Sequence, residues 1–143
     1  MEQIVGGLVN LRHRGVDVLV SYQSLRPVEP RMWQNARWVR MHYQADNVND
    51  IKGKLPNPEL YKIAQNIVNK RYFGGDKRFF LYIHNFLNKI EGKFTKLEFE
   101  QACRDYLNAN QKYVKEYKQV NSCSMEEAMK GKIDEYVSEY YGN

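Results

Sequence analysis

The stretch "FFLYIHNFLNKIEG", Phe79 to Gly92, decides what the second half of this chain becomes. Its apolar residues recur at helical spacing, at Phe79 or Phe80, Ile83, Phe86 or Leu87 and Ile90, with Gly92 as a stop. On that spacing it is a helix, and its neighbours agree. Upstream, Leu60, Ile63, Ala64, Ile67 and Val68 mark one helical face that ends at the turn "FGGD", Phe73 to Asp76. Downstream, Thr95 and Glu98 occupy capping-box positions, and Phe94 and Phe99 the two hydrophobic-staple positions. The helix they begin turns Phe99, Ala102, Cys103, Tyr106 and Leu107 inward and continues or restarts through Tyr113, Val114 and Tyr117. A last helix starts at Ser124, with Glu127 as its capping-box partner, and carries Met129, Ile133, Tyr136, Val137 and Tyr140 before Gly142. Tyrosines on such faces read as core residues with wet hydroxyls. Residues 51–143 are therefore expected to form a helical bundle.

The first fifty residues have a different chemistry. Up to Asp50 every basic side chain is arginine, whereas lysine dominates from Ile51 onward. Between the two regions, "NDIKGKLPNP", Asn49 to Pro58, supplies Gly53, Pro56 and Pro58 and reads as a loop. Ile4, Val5, Leu8 and Leu11 suggest a helix running into Gly15, and Val16 to Tyr22 a β-branched-rich strand that wants neighbours on both faces. Pro30 can open a short helix. "WVRMHYQ", Trp38 to Gln44, then alternates like a second strand, with Val39, Met41 and Tyr43 on one face and Arg40, His42 and Gln44 on the other. Helix, strand, short helix, strand is a βαβ-like half unit with too few strands to close a sheet alone. The expected class is α/β, mainly α, divided into residues 1–50 and 51–143.

A hydrophobic content of 43%, with 11 tyrosines among the 143 residues, argues for an ordered globular chain rather than a disordered one. The net charge of +5 suits nucleic acid or another anionic partner, and equally a solvated lysine-rich face. Cys103 and Cys123 form no CxxC and have no histidine cluster nearby, so neither zinc nor a disulfide framework is indicated. The start lacks the pattern of a signal peptide, and no apolar window is long enough to span a bilayer. A reducing, cytoplasmic setting is expected, a host cytoplasm included, without membrane contact.

Enzymatic signatures are sparse. None of the pairs Gly53-Lys54, Gly92-Lys93 and Gly131-Lys132 completes a phosphate-binding GxxxxGK[ST] loop, and His13, His42 and His84 belong to no HExxH, GxSxG or Cys-His pattern. No autonomous activity and no cofactor bound by this chain alone are expected.

One segment carries a resemblance. "RHRGVDVLVSYQS" followed by "LRPVEPRMWQNARWVRMHYQ" resembles the distal part of the P-loop motor core of the HerA and FtsK superfamily, which includes viral genome-packaging ATPases and zonular-occludens-toxin-type phage proteins. The resemblance covers roughly residues 3–45 and lacks the phosphate loop and the acidic strand. It implies an incomplete P-loop-type sheet over residues 1–50 and a C-terminal or split part of a DNA-translocating ATPase, inactive alone. By the same resemblance Gln23 is the sensor at the strand end, with Ser21 and Ser24 beside it, and Arg31, Arg37 or Arg40 an arginine finger. ATP and Mg would bind only in a complete ATPase. The implied partners are DNA, further copies of the chain, or a missing N-terminal ATPase part.

Two alternatives stand beside it. One is a small basic helical module in which Arg12, Arg14, Lys52 and Lys54 meet nucleic-acid phosphates. The other is a protein-interaction module anchored by exposed Trp33 and Trp38.

Overall fold

Over Phe79 to Gly92, alternation prevails over helical period. In the structure, a computed structural model that describes residues 26–143, this stretch is a β-hairpin. Its strands are β2 (Phe80–His84) and β3 (Lys89–Gly92). The expected helix is corrected on a physical ground. A helix with Ile83, Leu87 and Ile90 inward would turn Leu81 outward. The hairpin buries Leu81, Ile83 and Ile90 completely and leaves Phe86 and Leu87 at its tip. Asn88 takes a left-handed conformation, φ 53°, which asparagine tolerates better than most residues, and so closes the turn.

An equally long partner was available for this hairpin. Strand β1 (Trp38–His42) pairs antiparallel with β2, placing Trp38 opposite His84, Arg40 opposite Tyr82 and His42 opposite Phe80. Among the described residues the sheet has three strands in the order β1-β2-β3, all antiparallel. Before β1 stands α1 (Pro30–Asn35), with proline in its first turn. Both elements fall where the sequence places them. The helix into Gly15, the strand Val16 to Tyr22, and Gln23, Arg12 and Arg14 lie outside the described residues.

One face of the sheet is covered by α2 (Pro58–Phe73). Asn57 caps this helix by accepting the Leu60 N–H (3.3 Å). Its Leu60, Tyr61, Ile63, Ala64, Ile67 and Val68 are all buried, and together they form the centre of the core with Leu81, Ile83 and Ile90. A 3-10 helix, Val48–Lys54, packs against α2. Next come α3 (Lys96–Ala109), α4 (Gln111–Asn121) and α5 (Met125–Tyr140). The Thr95–Glu98 capping box forms in both directions, and the staple rings Phe94 and Phe99 lie 6.4 Å apart. Arg71 joins α2 to this cap, its guanidinium reaching both Glu98 oxygens (2.5 and 2.8 Å). The last residues are held on β3: the Gly142 N–H donates to the Ile90 carbonyl (2.9 Å), and the Asn143 amide donates to the Gly92 carbonyl (2.9 Å). The described chain is thus mainly helical with a small antiparallel sheet. The bundle expected over residues 51–143 is interrupted by the hairpin.

Asn85, just past β2, is buried and fully employed. Its amide nitrogen donates to the carbonyls of Trp33 (3.0 Å) and Ala36 (2.7 Å), and its oxygen accepts the Tyr61 hydroxyl. Its backbone N–H donates to the Arg37 carbonyl (2.9 Å), extending the β1–β2 ladder by one rung. Replacing Asn85 by Ala leaves several buried polar groups unpaired, at about 1–3 kcal/mol each. We expect N85A to lose about 3 kcal/mol or more in urea unfolding with an unchanged m value; a loss under about 1 kcal/mol would show that water replaces the amide without cost.

Candidate functional site

Because strand side chains alternate, the residues of β1 and β2 that do not meet α2 form the outer face of the sheet. These are Trp38, Arg40 and His42 on β1, and Phe80, Tyr82 and His84 on β2. β3 adds Glu91 opposite Tyr82 and Lys89 opposite His84. An outer face of an antiparallel sheet is ordinarily polar. Here it is largely aromatic, with Trp38 45% and Tyr82 36% exposed.

The rings touch one another in sequence along the face. Trp38 meets His84 edge-on at 4.4 Å and Tyr82 at 6.2 Å. Tyr82 meets Phe80 edge-on at 5.7 Å, and Phe80 lies 5.4 Å from His42. The Arg40 guanidinium sits 3.7 Å above the Phe80 ring. Edge-to-face pairs leave one flat side of a ring uncovered. The result is a row of aromatic surfaces with a fixed cation in its middle, about 13 Å long at the strand rise of about 3.3 Å per residue.

The two histidines are held differently. Nδ1 of His84 accepts the Leu87 N–H (3.1 Å), which places the proton of the neutral ring on Nε2 and braces the hairpin turn. The pKa of His42 is lowered from the ordinary histidine value, first by desolvation and then by the nearby Arg40 charge.

The residues expected from sequence do not converge. Arg40 lies on the outer face, whereas Arg31 is on α1 and Arg37 precedes β1, both exposed. Lys52 and Lys54 lie on the 3-10 helix, which packs on α2 at the opposite side of the sheet. Lys54 donates to the Arg26 carbonyl (2.8 Å), and Arg26 itself pairs with Asp46 and Asp50 (3.5 Å each), so acidic groups interrupt any positive face there. Trp33 is corrected from an exposed anchor to a core residue: it is 5% exposed and packs edge-on against Tyr61 at 5.4 Å.

A helical reading of Phe79 to Gly92 does not bring Phe80, Tyr82 and His84 onto one face. The alternation Phe80-Leu81-Tyr82-Ile83-His84 was the available signal.

A second polar cluster is structural. Glu59 accepts the hydroxyls of Tyr140 (2.8 Å) and Tyr136 (3.2 Å), tying the start of α2 to α5. Burial pushes both phenols up; the Glu59 charge comes next for Tyr136, whereas for Tyr140 a hydrogen bond from Asn57 lowers the pKa and the bond to Glu59 and its charge raise it, and both phenols stay protonated donors at neutral pH. Burial likewise pushes up the Cys103 thiol, which makes it a core side chain rather than a nucleophile. Among the described residues no group of three or more His, Cys, Asp or Glu is placed to hold a metal ion. No described helix is long and apolar enough to cross a membrane.

Compared with known proteins, the chain matches no family model, no curated protein and no solved structure. The geometry of the outer face therefore carries the functional argument.

Both perturbations of His42 disfavour its cation, so its imidazole should titrate below the ordinary histidine value of 6.5 and be neutral at pH 7. An NMR titration in which Arg40→Gln moves the midpoint upward is the expected result. A midpoint at or above 6.5 in the unsubstituted protein would contradict the desolvation of His42 and the placement of Arg40 beside it.

Proposed function

We propose that the outer face of the sheet binds single-stranded nucleic acid. The observation that carries this is the Arg40 guanidinium seated on the Phe80 ring, in a row with exposed Trp38 and Tyr82. Bases present π faces to aromatic rings whatever their identity, and each stacked base contributes about 1–3 kcal/mol. Stacking on Phe80 holds the plane of the guanidinium while its edge N–H groups stay available to a phosphate oxygen. The net charge of +5 favours approach of a polyanion. Such binding ignores sequence and weakens with salt. Duplex fits poorly, because its bases are stacked on one another and offer no free faces to these rings.

A second reading follows the motor resemblance. Its support is that an arginine-bearing short helix and a following strand stand at Pro30–Asn35 and Trp38–His42, as the resemblance implies. In that reading the chain is the distal part of a DNA-translocating ATPase, with a P-loop-type sheet completed elsewhere and ATP and Mg bound only in the assembly. Gln23 is then the sensor, and Arg31 or Arg37, both exposed, the better finger, since Arg40 is engaged on Phe80. A platform for single strands on the same chain is compatible with that role.

Trp38 is exposed and Trp33 buried, so quenching of tryptophan emission by an added oligonucleotide reports the outer face. With an oligonucleotide of about 12 nucleotides, Trp38→Ser followed by anisotropy of a labelled strand, and Tyr82→Ser by either method, should each weaken binding about tenfold. Arg40→Gln should lower the slope of log affinity against log salt by about 0.7. The double variant Lys52→Gln/Lys54→Gln should change neither. Binding that survives Tyr82→Ser and fails in the lysine double variant would move the site to the helical side.

A further inference from the structure

The outer face ends at the His42–Phe80 rung, but the aromatic surface does not. The next residue, Tyr43, turns the other way and stacks flat on Tyr72 of α2, at 3.7 Å between ring centres and 10° between planes. Phe73, the last residue of α2, stands edge-on to Tyr43 (5.4 Å) and to Tyr72 (5.5 Å) and is 71% exposed. The exposed ring extends the aromatic surface of this corner.

The charge around this corner favours a polyanion. The Lys77 ammonium lies 4.0 Å from the centre of the Tyr72 ring. Lys70 and Arg78, nearby in the chain, are exposed, and the acid here, Asp76, lies 3.6 Å from Arg71, which it shares with Glu98. The arrangement repeats that of the sheet face: an aromatic ring with a cation fixed over it, here Lys77 on Tyr72 and there Arg40 on Phe80.

We infer that the binding track runs off the sheet at the His42–Phe80 end, around Tyr43 and onto Phe73 and Lys77, so that the ligand is a strand long enough to occupy both patches. This rests on the proposed nucleic-acid function of the outer face. The sheet row holds the first few nucleotides. Phe73 takes a further base and Lys77 a phosphate between the two patches. Affinity therefore rises with length until the second patch is filled.

The test compares two homopyrimidine strands, one of about 4 nucleotides and one of about 12. Phe73→Ser, at an exposed position, should weaken the longer strand about tenfold and leave the shorter one unchanged. Lys77→Gln should lower the salt slope of the longer strand alone, by about 0.7. Tyr82→Ser should weaken both strands, and thermal unfolding should confirm that each variant is folded. If Phe73→Ser leaves the longer strand unaffected while Tyr82→Ser weakens it, the track is overturned and the sheet platform stands. If Phe73→Ser weakens both lengths equally, the distal patch is likewise overturned. If Tyr82→Ser alters neither strand, the platform reading itself fails.

Discussion

The buried amide of Asn85 is the constraint on which the rest of this structure depends. A primary amide taken out of water must find partners for both nitrogen protons and for its oxygen, or lose a large part of the stability of a small domain. Asn85 finds them in the Trp33 and Ala36 carbonyls and the Tyr61 hydroxyl, and so draws α1, the approach to β1 and the middle of the core to one point. Its backbone adds the rung to Arg37 that sets the register of β1 on β2. A slip of one residue would turn Met41 outward and Arg40 and His42 onto the core, so the pairing is strongly specified.

The character of the outer face follows from that register. Leu81, Ile83 and Met41 are consumed by the core beneath α2, which leaves Trp38, Arg40, Phe80 and Tyr82 facing outward together. The sheet is small, and among the described residues α2 covers one side of it. The aromatic row on the other side, with the Arg40 cation in it, is a surface whose chemistry suits a flexible polyanion with stackable bases. The helices contribute rigidity through the capping box, its Arg71 clamp and the Glu59–tyrosine link, and they place none of their buried tyrosines where a base could reach them.

Much of this was legible in the sequence wherever local chemistry and periodicity agreed. Pro30 and Trp38 to Gln44 announce α1 and β1; Thr95 with Glu98 announces a helix start whose capping box forms in both directions, and Ser124 with Glu127 one where Ser124 accepts the Glu127 N–H (3.2 Å) and its hydroxyl meets the Glu127 carboxylate (3.2 Å). The hairpin was missed because Phe80, Ile83, Leu87 and Ile90 satisfy a helical period and the alternating run satisfies a strand period. Only the presence of β1 as a partner, a long-range fact, decides between them. The candidate site was lost with it, since Phe80 and Tyr82 meet Arg40 only across the β1–β2 ladder. Arg40 stands out in the sequence as an arginine-finger candidate, whereas the fold seats it on the Phe80 ring. Lys52 and Lys54 stand out in the sequence by charge alone, and the fold brings the acidic Asp46 and Asp50 to Arg26 beside Lys54.

The most direct test of the central claim is an amide chemical-shift map of the protein with a single-stranded oligonucleotide added stepwise at low salt. The account predicts that the largest shifts cluster on Trp38, Arg40, Phe80, Tyr82 and His84. Shifts confined to the 3-10 helix around Lys52 and Lys54, or no saturable shifts at all, would contradict it.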